Sequence, residues 1–262
     1  PLRRFDRQII PSLKAAGGER RLGFSIGNKL IVTATDPSFP PFHSHSLKTT
    51  PTGFPIKHAS PEFPIQEFIA NRWSPYGFTD RPVSEADLSS LFEAARWAAS
   101  SYNEQPWSYF VAARSAAAEF ERLLSCLVPA NQAWAKAAPV LALGVVSLKF
   151  AKNHQDNRAA VHDLGLASAN LVMEATARGL SVHQMIGILP DRARELYHIP
   201  ADAEAWTALA IGYMANADEL PAGMRERDLS PRQRKPATEF VFTGMWGQPA
   251  PFVLRKPSLP QA

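Results

Sequence analysis

The stretch SSYNEQPW, residues 100–107, lines up a run of hydrogen-bonding side chains ahead of a proline and a tryptophan. It follows the segment SEADLSSLFEAARWAA. There Ser84 is placed as an N-cap, Asp87 holds the capping-box position, and Leu88, Leu91, Phe92, Ala95 and Ala98 recur at helical spacing. It precedes Trp107, Tyr109 and Val111, which alternate as in a strand. So polar a helix-to-strand junction has two readings. Either Ser100, Ser101 and Asn103 cap the last carbonyls of the helix, or the run pairs the polar atoms of a buried ligand, where each unpaired group costs about 1–3 kcal/mol.

Working outward, Ile65, Phe68 and Ile69 predict a short helix ending near Asn71 and Arg72, and residues 116–127 read as helical. Residues 139–147 form a continuous apolar run, the pattern of a buried central strand. A long helix is expected over 158–178, with Val161, Leu164, Ser168, Leu171, Val172 and Ala175 on one face and Gly179 as its stop. Further strands are expected at 181–187, 206–214 and 239–243. Strands interspersed with helices imply an α/β or α+β layer protein.

The 262 residues, 45% of them apolar, are enough for a sizeable core. The single cysteine, Cys126, excludes an internal disulfide and any cysteine metal cluster, so a reducing, cytoplasmic setting is expected. The longest apolar run is too short to cross a bilayer, and no secretory leader is recognisable near Pro1. The net charge of +4 is uneven: residues 1–60 hold nine Lys and Arg against three acids, so the remainder is slightly acidic and offers nothing to a phosphate polymer. With seven prolines, residues 1–60 read as a basic, largely disordered extension, apart from a short strand in KLIVTAT, residues 29–35. The body is expected over 61–250, with a tail at 251–262.

Familiar motifs are few. GFSIG, residues 23–27, matches the serine-hydrolase elbow, but a strand-like segment follows it where a helix is required, which argues against Ser25 as a nucleophile. His43 and His45 alternate without a third ligand and read as solvated. His162-Asp163 could form an oriented base, although helical neighbours diverge. His183 either lines a pocket or satisfies a core hydrogen bond. Glycine-rich dinucleotide and phosphate loops and the metalloprotease histidine pair are all absent from the sequence. Arginines are what the chain supplies: Arg72, and the pair Arg232 and Arg234 in SPRQRKP, whose guanidinium groups could clamp a dianion.

Together these segments resemble the nitroreductase-like flavoproteins. The resemblance rests on Arg72-Trp73-Ser74 with Phe78 and Pro82-Val83, on ARWAASSYNEQPW, on Asn131 ahead of Ala138-Pro139-Val140, on HQMIGI, and on RQRKP followed by EFVF. It spans residues 62–249. It implies an α+β fold, a central mostly antiparallel sheet flanked by helices, with FMN at a homodimer interface. The 158–178 helix would pack its apolar face on its symmetry mate, and EFVF would form a strand reaching the partner. Arg72, Ser74, Arg232 and Arg234 would hold the phosphate end, with Trp73 nearby and Asn131 at the pyrimidine edge. Ser100, Ser101, Asn103 and Gln105 would come from the other subunit, and in HQMIGI the residues Gln184, Met185, Ile186 and Gly187 would line the ring, with the Ile186 and Gly187 amides near N5.

In two places the chain departs from the family pattern. Tyr76 and Trp134 stand where a basic residue is common, which would make FMN harder to reduce unless Arg225 or Arg227 compensates. The implied activity is hydride transfer from NADH or NADPH through the flavin to a nitroaromatic, quinone or similar small molecule. Tyr76 and His183 are the candidate proton donors. The alternatives are a dehalogenating or otherwise oxidative relative, an FMN-binding protein without NAD(P)H turnover, and the Ser25 hydrolase.

Overall fold

In a computed structural model, residues 57–255 are described. The KLIVTAT strand, the GFSIG motif, His43, His45 and most of the 1–60 extension lie outside the described residues. Ser84 caps helix α2 (Glu85–Arg96) as its sequence predicts: its Oγ accepts the Asp87 N–H at 3.0 Å and donates to the Asp87 carboxylate at 2.7 Å. The apolar residues of α2 turn Leu91 and Ala95 inward. Ahead of it, the short helix α1 (Glu67–Asn71) ends at Arg72.

The sheet has four antiparallel strands in the order β1 (Trp107–Ala113), β2 (Val140–Ser147), β4 (Ala203–Gly212), β3 (Ser181–Met185). The apolar run is indeed the core of this sheet: every residue of β2 but Ser147 is buried. Its alternate side chains divide two packing layers. Val140 and Ala142 face α2 and helix α5 (Ala160–Ala177), together with Leu171, Val172 and Leu209. Leu141, Leu143 and Val145 face the other layer, with helices α3 (Ala117–Leu124), α4 (Pro129–Ala135) and α6 (Pro190–Tyr197). Gly179, at φ +75°, stops α5 as expected. Among the described residues no helix is long and apolar enough to cross a membrane.

Two expectations are corrected. The α5 face carrying Leu164, Ser168, Leu171, Val172 and Ala175 is buried inside this chain, with Leu164 only 1% exposed beside Val146 and Ala160. A helix laid across its own sheet buries its widest apolar stripe there, and only the narrower strip of Gly165, Leu166, Ala169 and Met173 is left toward the surface. Nor does EFVF form a strand within the chain. Residues Ala237–Glu239 make a 3-10 turn and Phe242 contributes one isolated bridge to Pro249, so Phe240 is left exposed. Short β-rich segments become strands only beside a partner strand, and none of the described strands adjoins this one.

Candidate functional site

Residues predicted from distant parts of the sequence meet at the β3 edge of the sheet. Arg72, leaving α1, donates to Ser74 Oγ at 3.3 Å, and its pKa is lowered by burial and then by the neighbouring Arg232 and Arg234 guanidiniums. Arg232 is held by the carbonyls of Lys57 and Ala70, and its own pKa is also lowered, by burial and by Arg234. Burial and then neighbouring positive charge lower both Arg72 and Arg232, a setting that favours an anion among the three guanidiniums. Lys57 adds a fourth cation, lying 4.7 Å from the Trp73 ring centre and bonding the Arg227 carbonyl.

Helix α7 (Ala222–Leu229) clasps this segment with a buried acid. Asp228, 3% exposed, accepts the Tyr76 N–H on both carboxylate oxygens, at 3.0 and 3.2 Å, with the Gly77 backbone beside it. Burial pushes its carboxyl pKa up, and these backbone donors, Lys57 and His183 pull against the shift. Arg227, one residue earlier, reaches over the Tyr76 ring, with its guanidinium 3.3 Å from the hydroxyl. Arg225 instead pairs with Asp218. Of the two arginines expected to compensate for the uncharged Tyr76, it is therefore Arg227 that stands beside it.

His183 on β3 sits between aromatic rings, edge-on to Tyr76 at 4.8 Å and tilted against Trp134 at 4.3 Å. Its Nδ1 lies 2.9 Å from the Pro75 carbonyl, which can only accept, so Nδ1 carries the hydrogen. Burial lowers the His183 pKa and favours the neutral ring. Trp134, only 5% exposed, belongs to the core, and it donates to Asn131 Oδ1. Asn131 Nδ2 in turn donates to the Gly187 carbonyl at 2.9 Å. A Cβ on Gly187 would fall 2.4 Å from that amide nitrogen, so a larger residue there would displace the Asn131 side chain. Of the remaining HQMIGI residues, Gln184 and Ile186 project outward, Ile186 being 79% exposed. Met185 turns its side chain into the core and offers only backbone, its carbonyl taken by Thr207. Among the described residues the Ile186 and Gly187 N–H groups meet no backbone acceptor.

The 100–105 loop lies elsewhere. It runs into the start of β1, where Trp107 pairs with Val146, whereas His183 shares its row with Ala210, Leu141 and Ala112. β1 and β3 are opposite edges of the sheet, three strand spacings apart and five residues apart along the strands. That separates the two groups by roughly 20 Å. The capping reading of this loop fails. The last α2 carbonyls are taken by the Trp97 and Ala98 N–H groups and by Asn170 Nδ2, not by Ser100, Ser101 or Asn103. Instead the loop is bent on itself: Tyr102, Asn103 and Gln105 all have φ between 51° and 56°. Each left-handed residue costs on the order of 1 kcal/mol, and such strain gathers at ligand clamps.

Asp163 holds this loop, with Oδ2 accepting the Ser101 N–H at 2.9 Å and Oδ1 3.1 Å from His162 Nδ1. The two neighbours on α5 do therefore meet, contrary to expectation, because Asp163 is buried and His162 folds back over it from solvent. A surface hollow of about 240 Å³ borders Asn103 and Gln105, between them and Trp97. A larger one, about 490 Å³ between α2 and α5, contains none of the candidate residues and has its acids engaged by Arg96, Trp97 and Arg178. The chemistry, not the size of the hollow, marks the site. Lys57 and Asp228 were not singled out by sequence reasoning, and Asp163 was considered only as the partner of His162, not as the anchor of the 100–105 loop. Asp228 sits in the charged string RERD, which reads as a solvated helix face.

The fold has known counterparts. The model of the nitroreductase family matches residues 69–213, more than half of the chain. A solved structure described as an oxidoreductase containing FMN superposes with a TM-score of 0.67 and 30% identity, over 71% of this chain and 94% of that one. A Polynucleobacter asymbioticus protein named "Putative NADH dehydrogenase/NAD(P)H nitroreductase" is 27% identical over 66% of this chain and 91% of its own. An uncharacterised 15.4 kDa protein of Mycolicibacterium smegmatis is 31% identical over 51% of this chain and 89% of its own. On the family match and the shared fold, this chain belongs to the nitroreductase family.

Proposed function

We propose that the protein is a homodimeric, FMN-dependent oxidoreductase that uses NADH or NADPH to reduce electron-poor small molecules such as nitroaromatics or quinones. The observation that carries this reading is the clustering of the Arg72, Arg232 and Arg234 guanidiniums, where burial and neighbouring positive charge lower the Arg72 and Arg232 pKa values, a setting suited to a dianion such as a phosphate monoester. The FMN in the solved relative is such a molecule. Bound FMN would supply two-electron hydride chemistry between the nicotinamide and the acceptor.

The chain's own residues position and neutralise. Arg72, Ser74, Arg232 and Arg234 take the phosphate end, with Trp73 beside them. Asn131, already bonded to the Gly187 carbonyl and to Trp134, chiefly holds the 186–187 backbone in place and presents its second amide hydrogen. The N–H groups of Ile186 and Gly187, which meet no backbone acceptor among the described residues, are suited to a ring acceptor that Ile186 would shield from water. Neutral His183 has its Nδ1 hydrogen committed to Pro75 and serves as a spacer between rings, so the proton-donor role falls to Tyr76, supported by Arg227.

Ser100, Ser101, Asn103 and Gln105 lie too far across the sheet to reach the same mononucleotide within one chain. Their participation therefore requires a second copy, associated through the Gly165, Leu166, Ala169 and Met173 strip of α5. The test is direct: pure protein should be yellow, and NADH or NADPH should bleach it without oxygen. A colourless protein that gains no thermal stability from added FMN refutes the cofactor, and a yellow protein that neither nicotinamide bleaches refutes the turnover.

A further inference from the structure

We infer that Tyr102 is a specificity-determining residue, an aromatic platform on which flat, electron-poor acceptors stack; this rests on the flavin reading above. Tyr102 is 90% exposed, yet it occupies the middle of a tightly built loop at φ 55°, a conformation that bulky side chains rarely adopt. An exposed aromatic ring gains nothing from the fold for being held in this way. Every neighbour nonetheless fixes it. Asp163 takes the Ser101 N–H, the Ser100 carbonyl takes the Asn103 N–H, the Ser101 carbonyl takes the Glu104 N–H, and Ser100 Oγ takes the Gln105 N–H. The Glu104 carboxylate reaches out of the loop to the Ala151 N–H at 2.7 Å, tying it to the segment between β2 and α5.

That segment supplies Phe150, whose ring meets Tyr102 edge-to-face at 5.9 Å and 81°. Phe150 is itself anchored, with its N–H on the Gln155 carbonyl and its carbonyl on the His154 N–H. The Phe150 contact sets the tilt of the Tyr102 ring and leaves ring surface open beside Ser101 and Asn103, two of the residues assigned to the cofactor. A phenol ring is electron-rich, and offset stacking favours an electron-poor partner. The same rigidity makes the platform selective for planar molecules, because a fixed ring gains little from a bulky or non-aromatic acceptor.

The experiment compares Tyr102→Gly and Tyr102→Phe with the wild type. Glycine removes the ring and adopts the positive φ without strain, so the loop should be retained. With FMN bound, Tyr102→Gly should raise KM for a para-quinone and for a nitrobenzene derivative by up to about tenfold. KM for ferricyanide, which accepts electrons without stacking, should be unchanged, and Tyr102→Phe should behave as the wild type. Equal effects on ferricyanide and the quinone, or no effect on either, overturn the inference while leaving the flavin reading intact. A protein that binds no FMN overturns both.

Discussion

Replacing Asp228 tests the clasp that gives the Arg72–Gly77 turn its shape. Both oxygens of its buried carboxylate accept the Tyr76 N–H. Losing this hydrogen bond to a charged acceptor costs about 1.5–3 kcal/mol, and the cavity left by the truncated side chain adds about 1 kcal/mol. Relief of a carboxylate that burial disfavours returns on the order of 1 kcal/mol. Asp228→Ala should therefore destabilise the protein by about 1.5–3 kcal/mol, which lowers Tm by roughly 3–12 °C for a domain of this size. Asp228→Asn keeps a neutral acceptor and should lose less than about half as much.

The pH dependence has a definite sign. The folded pKa of Asp228 lies above its unfolded value near 3.9, so the folded state favours the proton, and this contribution is lost as pH rises through the folded pKa. The stability of the wild type relative to Asp228→Asn should accordingly be greatest below about pH 4 and decline above it. Thermal unfolding followed by near-ultraviolet dichroism from pH 3.5 to 8 would measure both. The clasp is refuted if Asp228→Ala melts within about 2 °C of the wild type, or if Asn proves as damaging as Ala.

Arg72→Gln relieves repulsion within the guanidinium cluster, so the flavin-free protein should melt no lower than wild type. Its affinity for FMN should fall by about tenfold or more, whereas its affinity for riboflavin, which lacks the phosphate, should change little; titration calorimetry with both ligands decides it. His183 has a folded pKa below its unfolded value, so wild-type stability is present above about pH 6.5 and is lost as pH falls through that range; His183→Asn should flatten the loss between pH 7 and 5 in urea titrations. Ala169→Glu places a charge on the surface strip of α5 and should give folded, flavin-poor monomers by light scattering. Leu164→Ala opens the protomer core and should cost about 2–5 kcal/mol whether or not the protein is a dimer.

Much of the frame was legible because local rules and tertiary packing agree there. The Ser84 capping box, the apolar run of β2 and the Gly179 stop are each set by residues adjacent in sequence. Where burial on both sides decides the outcome, periodicity loses resolution. The α5 stripe shows that one face is buried but not whether its own sheet or another subunit buries it. EFVF has the composition of a strand, but strand formation is decided by a neighbour that the local sequence does not specify. β4 begins at Ala203, ahead of the expected Trp206, because pairing with β2 extends it through Glu204. At the site, the arginines and the 100–105 loop carried a legible signal in their residue types. Asp228 did not, since a buried acid beside exposed basic residues looks the same in sequence as a solvated one.

The distance between the sheet's two edges also has a genetic consequence in the proposed dimer. One cofactor site would draw its arginines from one chain and its polar loop from the other, so a lesion in Arg72 and a lesion in the 100–105 loop fall on different halves. Co-expressing two such inactive chains would rebuild one intact site in every mixed pair, restoring about a quarter of all sites under random assortment. Two defects carried on the same chain would not complement each other.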